Sequence, residues 1–131
     1  MKAEPSTRFI IDASFVLSFL LPDEDRSEVI QIFDQYTQGK IKLSAPDLLS
    51  YEIINGLKGA ILRKRITVKE ATYLVSQFLD LEIILSSVAL SLVLDVAVTK
   101  ELSIYDASYL YLAKKEDAEL LTLDTKLKNL A

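Results

Sequence analysis

Short apolar runs alternate along the chain with longer stretches of helical period. The run RFIID at 8–12 is apolar and closed by an acid, which predicts a buried strand ending at Asp12. Ala13 to Leu21 predicts a short helix stopped by Pro22, which lacks the N–H that the helical ladder needs. From Asp25 to Gln38 the positions Val29, Ile30, Ile32, Phe33 and Tyr36 form a helical stripe, and Gly39 is a helix stop. IKL at 41–43 predicts a second strand. Pro46 is placed in the first turn of a long helix, where a missing N–H costs nothing, and the helix runs through Leu49, Ile53, Leu57 and Ile61 to Arg63, Lys64 and Arg65. Thr67 and Glu70 form a capping-box signature for the next helix, continued by Ala71, Leu74, Val75, Phe78 and Leu79. EIIL at 82–85 predicts a third strand, Ser87 to Leu102 and Asp106 to Glu116 two helices, and ELLT at 119–122 a fourth strand. A last short helix follows Asp124.

Strands alternating with helices predict a parallel sheet of about four strands covered on both faces, a three-layer α/β/α fold. No linker, repeat or low-complexity stretch interrupts the pattern, so residues 1–131 are expected to form a single domain.

Composition narrows the chemistry. Half of the residues are hydrophobic, with only 3 Gly and 3 Pro, as a packed core requires. The absence of cysteine excludes disulfides and thiolate metal sites, and the absence of histidine excludes imidazole acid–base chemistry and imidazole metal ligands. Carboxylates, hydroxyls, amides, Lys and Arg remain. The net charge of -4 argues weakly against nucleic-acid binding, although a local basic stripe attracts phosphate whatever the sum. Lys58, Arg63, Lys64, Arg65 and Lys69 form one such group and Lys114, Lys115, Lys126 and Lys128 another; solvation at helix ends explains most of them equally well. The apolar stretch Ile10–Leu21 contains Asp12, follows Glu4 and has no small-residue cleavage site at Leu21 to Asp23. Val88–Val98 is broken by Asp95 and falls short of the about 20 residues that span a bilayer. A cytoplasmic protein without membrane association is expected.

Ligands of open α/β sheets bind beyond the carboxyl ends of the strands. Asp12 ends the first strand, Asp124 lies just past the fourth, and Glu52 and Asp106 sit in early helical turns, so parallel strands can bring all four together. Such a group repels itself unless a cation neutralises it, and an all-oxygen set suits Mg²⁺ or Mn²⁺. Each acid also has an ordinary explanation. Asp12 and Asp124 suit helix N-caps, Asp106 completes a capping box with Ser103, and Glu52 is compatible with a solvated helix face. Asp12 is the exception locally, because its charge interrupts an apolar run. Glu52 stacks on the helical wheel with Leu48 and Asn55 rather than with Lys58 or Lys64. Ser14, Asn55 and Thr122 are placed to hold carboxylates or substrate phosphate, with Ser14 equally explicable as a helix cap or surface residue.

Four stretches, FIIDAS at 9–14, YEIINGL at 51–57, SIYDASYLYLA at 103–113 and LLTLDTKL at 120–127, resemble in order the PIN domain, in particular the VapC-like toxins of toxin–antitoxin pairs. The resemblance implies an endoribonuclease that hydrolyses RNA phosphodiester bonds with Mg²⁺ or Mn²⁺. Asp12 and Asp106 are implied as direct metal ligands, and Glu52 and Asp124 as ligands directly or through water. It also implies a homodimer and a VapB-like antitoxin that holds the enzyme inactive. Relatives often continue into a fifth strand after the last helix, which is not seen before Ala131; the acids are expected to be unaffected. A catalytically silent PIN-like binding scaffold is the main alternative. A receiver-type signalling domain fits less well, since Asp12 stands alone after its strand and Leu85, Ser86 and Ser87 follow the third strand where a phosphoacceptor is needed. Gly56 and Ala60, one turn apart, suit a close helix contact either within the chain or across a dimer.

Overall fold

The structure, a computed structural model, describes residues 7–22 and 26–131. Glu4, Asp23 and the expected helix start at Asp25 lie outside the described residues. Four strands, β1 (Thr7–Ile11), β2 (Ile41–Pro46), β3 (Ile84–Ser86) and β4 (Glu119–Leu121), form one parallel sheet in the order β3-β2-β1-β4. The helices are α1 (Ala13–Leu20), α2 (Ser27–Thr37), α3 (Leu49–Leu62), α4 (Val68–Asp80), α5 (Leu90–Lys100), α6 (Ile104–Lys115) and α7 (Thr125–Leu130). None of the described helices is long and apolar enough to cross a membrane.

The strand order explains the layers. From β1 through β2 to β3 the chain steps one way across the sheet, then returns past β1 to lay down β4. Right-handed crossovers place helices on opposite faces when the direction of travel reverses. Accordingly α1, α2, α3 and α4 pack on one another, while α6 lies across β1, β2 and β4 with α5 packed on it. β1, central in the sheet, carries adjacent Ile10 and Ile11 wholly buried, as a strand covered on both faces must. Phe19 stacks on Phe33 with ring centroids 4.1 Å apart, joining α1 to α2. A smaller apolar cluster of Val93, Ala97 and Ala107 joins α5 to α6.

Most expected elements occur with ends shifted by a few residues. The clearest correction concerns Pro46, which closes β2 instead of opening a helix; α3 starts at Leu49. The Asp47 N–H donates to the Ser86 carbonyl at 3.0 Å on the β3 side. By strand alternation the Pro46 nitrogen faces β1, beyond the last β1–β2 pair at Ile10 and Ser44, so its missing N–H breaks no ladder bond. The helix expected over Ser87–Leu102 is shorter at both ends and stops at Glu101, whose φ of 55° is left-handed. The helix expected from Asp106 starts at Ile104, because Ser103 is its N-cap. The capping box at Thr67 and Glu70 is present in both directions, at 3.0 and 3.1 Å. Gly56 is explained inside the chain: a Cβ there would lie 2.4 Å from Leu17 Cδ1, so its absence lets α1 press against α3.

Candidate active site

The sheet changes direction between β1 and β4, and this is where an open α/β fold forms a crevice at its carboxyl edge. Asp12 follows β1 and Thr122 follows β4, side by side across that boundary; the Asp12 N–H donates to the Leu121 carbonyl at 3.1 Å.

Asp12 is the most buried of the four acids, 5% exposed. Its extended backbone makes it the N-cap of α1, and Oδ1 accepts from the Phe15 N–H at 3.1 Å and from Ser14 Oγ at 2.7 Å. Oδ2 accepts from Thr122 Oγ. The two hydroxyls each accept in turn from the turn after β4. Leu123 N–H donates to Ser14 Oγ at 3.0 Å, and Asp124 N–H donates to Thr122 Oγ at 3.0 Å. Ser14 and Thr122 therefore stitch the β1–α1 turn to the β4–α7 turn through one carboxylate. Asp124 itself caps α7, accepting from Leu127 N–H at 2.8 Å, and is exposed. The cap explanation and the convergence explanation hold together for these residues.

Glu52 and Asp106 are half-buried and arrive from the two helical layers, on α3 and α6. Burial raises the Asp12 carboxyl above the ordinary range against hydrogen bonds from Thr122, Ser14 and Phe15 that lower it, and the Asp106 charge raises it further. Burial likewise raises Glu52; a hydrogen bond from Tyr109 opposes it, and the charges of Asp106 and Asp12 add to it. Asp106 is raised first by burial and then by Asp124, while Lys126 and Ser103 lower it. All four acids thus share one field although they come from separate parts of the chain. Among the described residues no three of them stand close enough to form a ready-made ion cage. An all-oxygen, mutually repelling set in a partly desolvated crevice nevertheless fits a divalent cation in kind.

Asn55 falls outside this network: it is exposed and makes no hydrogen bond among the described residues. Of the basic residues singled out, Lys126 is felt at an acid; its ammonium also donates to the Glu101 carbonyl at 2.7 Å, tying α7 to the end of α5. Lys114 and Lys128 line a groove of about 560 Å³ along the open side of β4, and Lys69 lines another of about 730 Å³ beside α1, α2 and α4. The first groove meets the acid network through Phe15, Leu121 and Thr122, and none of the four acids lines it.

Tyr109 is a site residue to which the sequence reading assigned no role. Its ring is 1% exposed and its hydroxyl donates to Glu52 Oε1 at 2.6 Å. Burial and the neighbouring Glu52 push its phenol well above the usual tyrosine value. One signal was available: Tyr109 stands three residues after Asp106, on the same helical face, among apolar neighbours where a hydroxyl needs a partner.

A parallel α/β sheet with acids gathered at its direction change defines a class, phosphodiester-cleaving enzymes of carboxylate type among its members. The chain matches the PIN domain family over residues 9–131 and belongs to that family. PIN domains are generally nucleases. The chain is also similar to a solved structure, the crystal structure of PAE2754 from Pyrobaculum aerophilum, at 26% identity and a TM-score of 0.78, over 97% of this chain and 88% of that one. No curated protein matches it.

Proposed function

We propose that this PIN domain is a Mg²⁺- or Mn²⁺-dependent endoribonuclease of the VapC type, held inactive by a cognate VapB-like antitoxin. The observation that carries the reading is Asp12: a buried acid, held at both oxygens by residues from two turns, in the field of other acids that have no structural need to meet. Asp12 and Asp106 would hold the ion directly, with Glu52 and Asp124 acting directly or through water. When bound, the ion supplies Lewis-acid activation of water and neutralisation of phosphate charge. The chain's own residues do the rest. Ser14 and Thr122 donate to Asp12 and favour its ionised form; both are themselves oriented by backbone N–H groups, so the carboxylate has one defined pose. Lys126, whose charge is felt at Asp106, would supply the cation that meets a phosphate.

The family resemblance also supports a homodimer, and the exposed Leu90, Leu94 and Val98, one turn apart on α5, are apolar surface for a second copy to cover. Light scattering should then give twice the 14.7 kDa chain mass. The central experiment is RNA cleavage with and without Mg²⁺ by the wild type and Asp12→Asn. Asparagine keeps the N-cap of α1, so the fold should survive while cleavage is lost, as it should also be lost with chelator. Full activity of Asp12→Asn would sink the proposal. Calorimetric titration with Mg²⁺ separates it from a silent binding scaffold, which would take up no ion at these acids.

A further inference from the structure

Tyr109 heads the large side chains that are wholly buried, yet its hydroxyl ends among the acids and not among apolar groups. It donates to Glu52 Oε1 at 2.6 Å. A hydroxyl has one proton, and Tyr109 gives it to Glu52. The phenol therefore joins α6 to α3. A phenylalanine would fill the same space with no polar group to satisfy, so packing alone does not call for the hydroxyl. The other Glu52 oxygen has no hydrogen-bond partner among the described residues.

We infer that Tyr109 is a positioning residue: its hydroxyl holds one oxygen of Glu52 and leaves the other free for an ion or a water at the acid cluster. The ion-binding part of this rests on the metal-dependent reading above; the hold on Glu52 does not. Groups that orient metal-binding side chains typically matter by roughly tenfold or more in metal affinity. Mn²⁺ affinity measured by calorimetry should therefore weaken by about that factor in Tyr109→Phe. Tyr111→Phe, on the same helix and away from the acids, should leave it unchanged. In a Glu52→Ala background Tyr109→Phe should weaken Mn²⁺ binding no further, because the residue through which it acts is gone.

Wild-type affinity in Tyr109→Phe, or an equal loss in both backgrounds, would overturn the inference. If the wild type binds no Mn²⁺, the metal-dependent reading fails instead, and denaturation of the metal-free variants decides the positioning role. Tyr109→Phe should then destabilise the wild type but not Glu52→Ala, where it removes a hydroxyl left without its acceptor. Additive effects would show that the hydroxyl does not hold Glu52.

Discussion

Both oxygens of the Asp12 carboxylate are engaged, and every engagement is a donor to it. Such an environment favours the ionised form, whereas burial and the Asp106 charge favour the protonated one, and the balance lies towards protonation. Glu52 and Asp106 lean the same way. The fold therefore binds more protons at these groups than the unfolded chain does, from the ordinary values of 3.8 for Asp and 4.5 for Glu up to the raised ones. The stability they contribute is fully present below that window and is lost as pH rises through it. Melting of the metal-free protein followed from mildly acidic to neutral pH should show this decline. A divalent ion needs the ionised carboxylates, so the rise in melting temperature on adding Mg²⁺ should be larger at neutral pH than near pH 5, as a rough guide. An equal rise at both would argue against binding at these acids. Thr122→Val, which removes one donor and keeps the shape, should weaken ion binding and raise the Asp12 pKa further.

At the scale of elements, the site depends on how closely α3 approaches α1, since Glu52 rides on the one and Asp12 caps the other. Gly56 sets that approach. Gly56→Ala should be nearly neutral in denaturant: the helix gains about 1 kcal/mol of propensity, and the end of the half-buried Leu17 side chain gives way. Gly56→Leu has no such room and should cost about 1–3 kcal/mol and lower cleavage by moving Glu52. The Thr67 capping box is a contrasting case, remote from the acids in sequence and in hydrogen bonding. Thr67→Ala should lower stability by about 1 kcal/mol and leave activity unchanged. Pro46 shows why element ends are hard to place from sequence. A proline is equally at home in a first helical turn and at a strand end, and only the pairing with Ser86 decides between them.

At the scale of the molecule, the order β3-β2-β1-β4 makes a site of separate residues. It puts β4 beside β1, so that turns more than a hundred positions apart share the Ser14, Thr122 and Asp12 hydrogen bonds. An ion bound only by the folded state stabilises it by mass action, about 2.7 kcal/mol at a hundredfold excess over its Kd. Mn²⁺ should accordingly raise the melting temperature of the wild type and fail to do so in a variant lacking Asp12 and Asp106. With a net charge of -4, the RNA substrate of the proposed activity would have to be attracted locally. Affinity measured against salt should fall steeply for the wild type and less steeply for Lys126→Met.

The alternation of apolar runs and helical stripes was enough to imply a parallel α/β sheet, because periodicity follows directly from how side chains point along strands and helices. The acids Asp12, Glu52, Asp106 and Asp124 suggested an oxygen-ligated divalent ion, and the resemblance of the four stretches around them suggested the family. Strand order was not legible, because pairing between distant segments leaves no mark in local pattern. Neither was the division between network and bystander: Ser14 and Thr122 bind Asp12 while Asn55 stands exposed, although all three are small polar residues near an acid. Tyr109 drew no attention in the sequence beyond its place in the stretch at 103–113, and its ring is core. Only the tertiary fold, which brings α3 and α6 from the two helical layers to one edge of the sheet, puts its hydroxyl on Glu52, since a buried polar group is assigned its partner by the fold and not by its place in the chain.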